Sequence, residues 1–322
     1  MFKRKLKKQN KFKRLLLKLL NIYAINPETF ELINPEQSKP AQNYYKFNDK
    51  SLILSSGFLN FSRKIKKLDI FYRFSPNVSL WNSKGSWKRI IPNIDKKTLI
   101  KVSLLSLKKS ILSFLQDNDL IITLNLIFDE TSNDFNDELK KILKNNKFEI
   151  KFLESKIKGN RGTYLECCDH AEISDDLIFF IEDDYLFKIE SIDELLFTYM
   201  RISTQTKSDI FLTPTDHPFY YDSNYLTSVY IGKNYRWRVV KETLLTFLFS
   251  KKLFNIYRDK VRAVGEIENH PFEKPLHYIF DKELCFAPIT SISHHISRTV
   301  PSIDPDWLEL WQENFNEVNG GP

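Results

Sequence analysis

Glycine and cysteine are scarce in this 322-residue chain, with eight and three residues respectively. Eight glycines leave no room for a glycine-rich repeat or a collagen-like segment. Cys167, Cys168 and Cys285 are too few, and odd in number, for a disulfide framework. No Cys-x-x-Cys zinc spacing occurs either, so a reducing compartment is expected. Acidic residues are absent from the first eighteen positions, which carry nine Lys or Arg. Removing those nine from the 48 basic residues leaves 39 against 41 acids, so the net charge of +7 belongs to a tail. A nucleic-acid-binding protein spreads its basic groups over a docking face, and this chain does not.

The tail is not read as a secretory signal. Lys18 interrupts the apolar stretch Leu15 to Leu20, no small-residue cleavage site follows, and the stretch is far too short to span a bilayer. Phe2, Leu6, Phe12, Leu15, Leu16, Leu19 and Leu20 among lysines fit a cationic helix on an anionic membrane surface. A disordered basic arm is the alternative. The rest has the makings of a folded body: 42% of the chain is hydrophobic and 14% aromatic, against wholesale disorder.

Past a proline-containing lead-in, strands and helices alternate. Asp69 to Phe74, Leu120 to Phe128, Phe148 to Leu153 and Leu177 to Ile181 read as strands. Lys97 to Gln116, a segment through Glu138 to Leu143, and Thr163 to Ala171 read as helices. That order predicts a parallel sheet with right-handed crossovers, whose ligands bind beyond the carboxyl ends of the strands. Asp129 and the run Glu182-Asp183-Asp184 fall at that edge. The acidic run is walled by Phe179-Phe180-Ile181 before it and Tyr185-Leu186-Phe187 after it, as a strand delivering carboxylates to a cleft would be. Extended alternation puts Glu182 and Asp184 on one side and Asp183 on the other. Carboxylates that converge repel each other unless a hard cation such as Mg²⁺ or Mn²⁺ lies between them.

These segments resemble a family. Leu126-Ile-Phe-Asp129-Glu-Thr-Ser132-Asn-Asp134 resembles the strand and Asp-Asp-x-Ser-x-Asp turn of nucleotide-sugar-dependent glycosyltransferases of the GT-A fold, especially family-2-like members. Gly159-Asn160-Arg161-Gly162-Thr163 is similar to their turn before the helix that precedes the metal motif, and Glu182-Asp183-Asp184 to their Asp-x-Asp motif. The order of elements is matched over roughly residues 68 to 200. Two positions depart from the pattern: Glu182 replaces the first Asp, and Asp129 stands alone with Glu130 beside it.

The resemblance implies a GT-A-type, Rossmann-like α/β fold with a mostly parallel sheet flanked by helices. Residues 1–22 would be the tail, 23–66 a lead-in and 67–322 the catalytic domain, divided into a nucleotide-sugar half (67–200) and an acceptor half (201–322). It implies a nucleoside diphosphate sugar as donor and a divalent cation (Mn²⁺ or Mg²⁺) held by Asp184 with Glu182 adjacent, joined by a late histidine, His294 or His295. Arg73, Asp129, Arg161, Asp183 and Arg298 are implied to contact the nucleotide sugar. Arg73 reads equally as a structural ion-pair former. In the acceptor half, Trp237 in Tyr235-Arg-Trp-Arg238 can stack on a sugar or simply fill the core. Glu266 or Glu268 would deprotonate the acceptor hydroxyl in an inverting reaction, the alternative being ordinary surface acids. Asp216-His217-Pro218 is a second candidate that reads better as a turn, and Trp307 and Trp311 pin a terminal helix.

The expected function is therefore transfer of a sugar to a glycan or lipid-linked acceptor at the cytoplasmic membrane face, with residues 1–20 contacting anionic lipid and no specific nucleic acid bound. One rival is a nucleotidyltransferase using the same acidic site, although Ser75-Pro-Asn-Val-Ser lacks a basic, glycine-rich phosphate loop. The other is a non-catalytic membrane- or nucleic-acid-binding protein acting through its tail.

Overall fold

The computed structural model of the chain describes residues 32–33, 51–54, 57–77, 91, 94–221, 227–297 and 302–320. The basic tail and Arg298 lie outside the described residues. Within the lead-in, β1 (Leu32–Ile33), β2 (Ser51–Leu54) and β3 (Gly57–Asn60) pair into a small antiparallel sheet in the order β1-β3-β2.

The body is built on β4 (Lys67–Phe74), β5 (Ile121–Phe128), β6 (Glu149–Glu154) and β7 (Leu177–Glu182). β4 lies between β5 and β7, β6 lies outside β5, and every pairing among these four strands is parallel. β4, β5 and β7 are buried on both faces, as strands covered from both sides must be, while the outer strand β6 mixes half-buried and exposed residues. Alternation then splits one sequence between two cores. Ile70, Tyr72, Phe74, Phe179 and Ile181 enter one, while Phe71, Ile178 and Phe180 enter the other.

The crossovers are α1 (Lys96–Asp117), α2 (Asn133–Ile142) and α3 (Gly159–Ala171). Asp95 caps α1 by accepting from the Thr98 amide at 2.7 Å, and Ser132 caps α2 by accepting from Phe135 at 3.3 Å. Gly159 opens α3 in the left-handed region at φ 84°, where a side chain would be strained. α3 thus begins four residues earlier than the sequence pattern suggests, inside the glycine turn itself.

After β7 come β8 (Tyr185–Phe187), α4 (Ser191–Thr206) and β9 (Phe211–Leu212), then β10 (Val229–Ile231), β11 (Arg236–Val240), β12 (Phe247–Ser250), α5 (Lys251–Glu266) and α6 (Lys274–Phe280). The chain closes with β13 (Cys285–Ile289), β14 (Ser293–His295) and α7 (Trp307–Val318), on which Trp311 is buried. The main sheet has nine strands in the order β10-β11-β13-β9-β12-β7-β4-β5-β6. β12 joins β7 antiparallel, so the second half extends the parallel core as a mixed sheet. β8 and β14 form a separate antiparallel pair. Among the described residues no helix is long and apolar enough to cross a membrane.

Candidate active site

The parallel strands β4, β5 and β7 end at one edge, and their registers align the acidic residues with their partners. Arg73 and Glu182 are Cα partners across β4 and β7, so both side chains project to the same face. Arg73 is buried and pairs with Glu182, while its other nitrogen bonds to Asn160 in the first turn of α3. The guanidinium also lies 5.5 Å from the Tyr164 ring centroid. Arg73 is therefore an ion-pair former at the site's inner wall. Burial pushes the Glu182 carboxyl above its ordinary range; Arg73 pulls against this, and Asp184 adds to it.

Asp183 and Asp184 form the turn between β7 and β8 instead of continuing the strand, so the partners of Asp183 are set by that turn and not by strand alternation. Asp183 meets Lys96, the first residue of α1, with Nζ 2.6 Å from Oδ1, and it accepts from the Ser75 amide at 3.2 Å. Burial works against the Lys96 charge, but Asp183 and Asp184 outweigh it and hold the ammonium protonated. The sequence reading missed Lys96. No local signal marks it, because its partner is 87 residues away.

Asp184 faces His295, whose Nε2 is 3.4 Å from Oδ2. The β8–β14 register makes this contact: His295 is the Cα partner of Tyr185, and the Ile296 amide donates to the Asp184 carbonyl at 2.7 Å. The His295 ring stacks on Tyr185 with centroids 4.9 Å apart. His294 turns the other way. Its Nδ1 is 2.7 Å from the Ser302 hydroxyl and its Nε2 is 3.3 Å from Asp306. Of the two histidines offered by the sequence, His295 is the one beside the acidic run, and His294 is not placed to share an ion with Asp184.

His217 is fully buried, 5.9 Å from His295 between ring centroids, and neither ring nitrogen has a hydrogen-bond partner among the described residues. Burial, reinforced by His295, pushes its pKa well below the usual range, so the ring stays neutral and keeps a lone pair. Neighbouring Asp216 is neutralised by Arg238 and accepts from the Tyr221 hydroxyl. The Asp-His-Pro segment is thus a turn that also carries a histidine into the site.

Other expected residues are placed elsewhere. Asp129, at the end of β5, is buried and accepts from the Gly159 amide, so it caps α3 from a neighbouring strand. Arg161 is exposed and donates to the carbonyls of Gly265, at 2.8 Å, and Glu266, at 2.5 Å. It ties α3 to the end of α5. Glu266 ends α5 with its side chain 3.1 Å from Arg262, and Glu268 is 3.6 Å from His270 on the surface. Neither contacts the acidic run. Trp237 has no exposed surface: it lies in the core, and its Nε1 donates to Glu194 at 3.0 Å. Its face cannot stack on an acceptor sugar, and that expectation is corrected.

The donor set at the edge fits an ion that keeps ligand positions for its substrate. Asp184 and His295 are the two protein groups that meet there, while Glu182 and Asp183 have their own cations. Two ligands suit a Mg²⁺- or Mn²⁺-type ion that also binds phosphate oxygens and water. Clefts of about 550 and 580 Å³ lie around Arg63 and Asp209 and around Lys188 and Asp306, and neither is lined by the acidic run.

No known family model matches the chain, and no curated protein matches it in sequence. It is similar in structure to UDP-glucose pyrophosphorylase complexed with UDP-glucose, at 8% identity and a TM-score of 0.45, over 80% of this chain and 99% of that one. It is also similar to 4-diphosphocytidyl-2C-methyl-D-erythritol synthase from Anaerococcus prevotii, at 11% identity and a TM-score of 0.38, over 79% and 95%. The glycosyltransferase GlyE of Streptococcus pneumoniae gives 10% identity and a TM-score of 0.41, over 80% and 64%.

Proposed function

We propose that the chain is an enzyme that binds a nucleoside diphosphate sugar at the carboxyl edge of its parallel strands and transfers the sugar to a glycan or lipid-linked acceptor. The observation that carries this reading is the meeting of Asp184 and His295 at 3.4 Å on that edge, beside two carboxylates already neutralised by Arg73 and Lys96. A bound divalent cation would supply charge stabilisation for the leaving diphosphate. Asp184 and His295 would hold it, with His217 behind them as a further neutral nitrogen donor. Arg73 holds the Glu182 carboxyl in place, so the edge stays preorganised rather than rearranging when substrate arrives. Asp129 would act through the first turn of α3, which it caps and which would meet the nucleotide, and Asp183, held by Lys96, would approach the ribose or sugar. Glu266 or Glu268 would take the acceptor proton after exchanging Arg262 or His270 for the acceptor. The tail, residues 1–20, would hold the enzyme at an anionic membrane surface.

A nucleotidyltransferase is the second reading, and Lys96 is the observation that favours it. A buried ammonium at the start of the helix following β4 is where a triphosphate would need positive charge. The products separate the two: pyrophosphate from a nucleoside triphosphate and a sugar 1-phosphate, or nucleoside diphosphate from a nucleotide sugar.

The first test is titration with UDP and GDP, with and without Mn²⁺, followed by thermal stabilisation. Metal-dependent stabilisation that is lost in Asp184→Ala is expected. No response to any nucleoside diphosphate with metal would overturn the proposal.

A further inference from the structure

A second cluster lies behind this edge. Among the described residues, the group of three whose ligand atoms all lie within 4.8 Å of one another is Glu242, Glu273 and His277. Glu242 is in the turn between β11 and β12. Glu273 precedes α6, and His277 follows it by four residues, one turn along the same helix face. We propose that these three residues form a site for a divalent transition ion of the Zn²⁺ type.

Three observations point to an ion. The His277 Nε2 is buried without a hydrogen-bond partner and is 3.9 Å from Glu242 Oε1. That distance is too long for a hydrogen bond. It does suit two ligands sharing one ion, which with bonds of about 2.0–2.2 Å lie roughly 3–4 Å apart. Glu273 is only 3% exposed, and neither carboxylate pairs with Lys or Arg among the described residues. The nearby Lys241 is engaged by Asp281. Buried charge of one sign calls for a compensating cation. Lastly, Glu273 is oriented as metal ligands are by their supporting shell: Thr243 donates to Oε2 from its amide at 3.1 Å and from its hydroxyl at 3.0 Å. The ring nitrogen selects a transition ion over Ca²⁺ or Mg²⁺. Glu242 and His277 are 41% and 31% exposed, which gives the ion a way in.

The site has a structural task. The turn from Lys241 to Thr246 carries two consecutive left-handed residues, Leu244 at φ 47° and Leu245 at φ 61°. Side chains make that backbone costly, so it needs external anchors. Tyr220 donates to the Glu242 carbonyl at 2.6 Å, and at the far end the Thr246 hydroxyl accepts from the Glu182 amide at 3.2 Å. An ion on Glu242 and Glu273 clamps this turn to α6 and steadies the backbone that meets the acidic run.

The inference does not depend on the transferase reading, and its test does not use turnover. The full chain is stripped with a chelator and titrated with Zn²⁺ against a chromophoric competitor, in an Asp184→Ala background that removes the first edge. One Zn²⁺ per chain is expected. It should weaken at least about tenfold in His277→Ala and in Glu242→Gln, both partly exposed positions. Co²⁺ in place of Zn²⁺ should show a visible absorption band that His277→Ala changes. Absence of Zn²⁺ binding in the Asp184→Ala chain would overturn the proposal, as would binding undiminished in both further variants.

Discussion

The acidic run and the Glu242–Glu273–His277 cluster solve the same electrostatic problem in opposite ways. In the run, the fold supplies a cation for two of the three carboxylates, Arg73 for Glu182 and Lys96 for Asp183, and sets the His295 imidazole beside Asp184. In the cluster two carboxylates share one imidazole, and Glu273 is buried with hydrogen bonds but no cation. A site that supplies its own countercharge can stand ready for a charged substrate. A site that does not must take a cation from solvent or hold a proton.

The comparison breaks most sharply at Lys96. Lys96→Met strands Asp183 in a buried environment and should cost about 3–5 kcal/mol by urea denaturation. The double variant Lys96→Met/Asp183→Asn should recover most of that loss, since the unpaired charge goes with its partner. Equal losses in the single and double variants would show that the pair is not what stabilises the edge.

The cluster should show itself through pH. Burial, partly offset by the Thr243 hydrogen bonds, pushes Glu273 up to about 7, above its ordinary carboxylate range. The folded state therefore binds the extra proton between about pH 4.5 and 7. In chelator, stability should fall as pH rises through that window, by up to about 3 kcal/mol. Thermal melts across the window should lose this slope in Glu273→Gln. A flat profile in the parent chain would show that the carboxylate already has its countercharge.

The smallest effect concerns a residue outside both sites. Trp237→Phe should cost about 2 kcal/mol through lost volume and a lost hydrogen bond to Glu194, with the acceptor KM unchanged. A raised KM at undiminished stability would return Trp237 to the acceptor site.

Much of the first half was legible because its signals are local. Runs of strand length located β4, β5, β6 and β7 to within about two residues, whereas the extended alternation expected through Glu182 to Asp184 gives way to a turn at Asp183 and Asp184. The second half was harder to read. Trp237 lies in a sequence segment that looks like a sugar platform, yet it fills the core because β11 pairs inside the sheet with β10 and β13. Glu266 and Glu268 attracted notice by their spacing, while Glu273 stood unmarked a few residues on. What distinguishes Glu273 is its burial against Thr243, 30 residues away, which no short window contains.

The sequence by itself determined the alternating α/β order, the acidic strand end and the segregation of basic charge into a tail, because each follows from neighbours within a few residues. Tertiary structure decided which histidine meets Asp184, which cation answers each carboxylate, and that Glu242, Glu273 and His277 meet at all. Apart from Glu273 and His277, one helix turn apart, those contacts join residues about 30 to more than 100 positions apart, and strand register and helix packing, not sequence spacing, bring such groups within bonding distance.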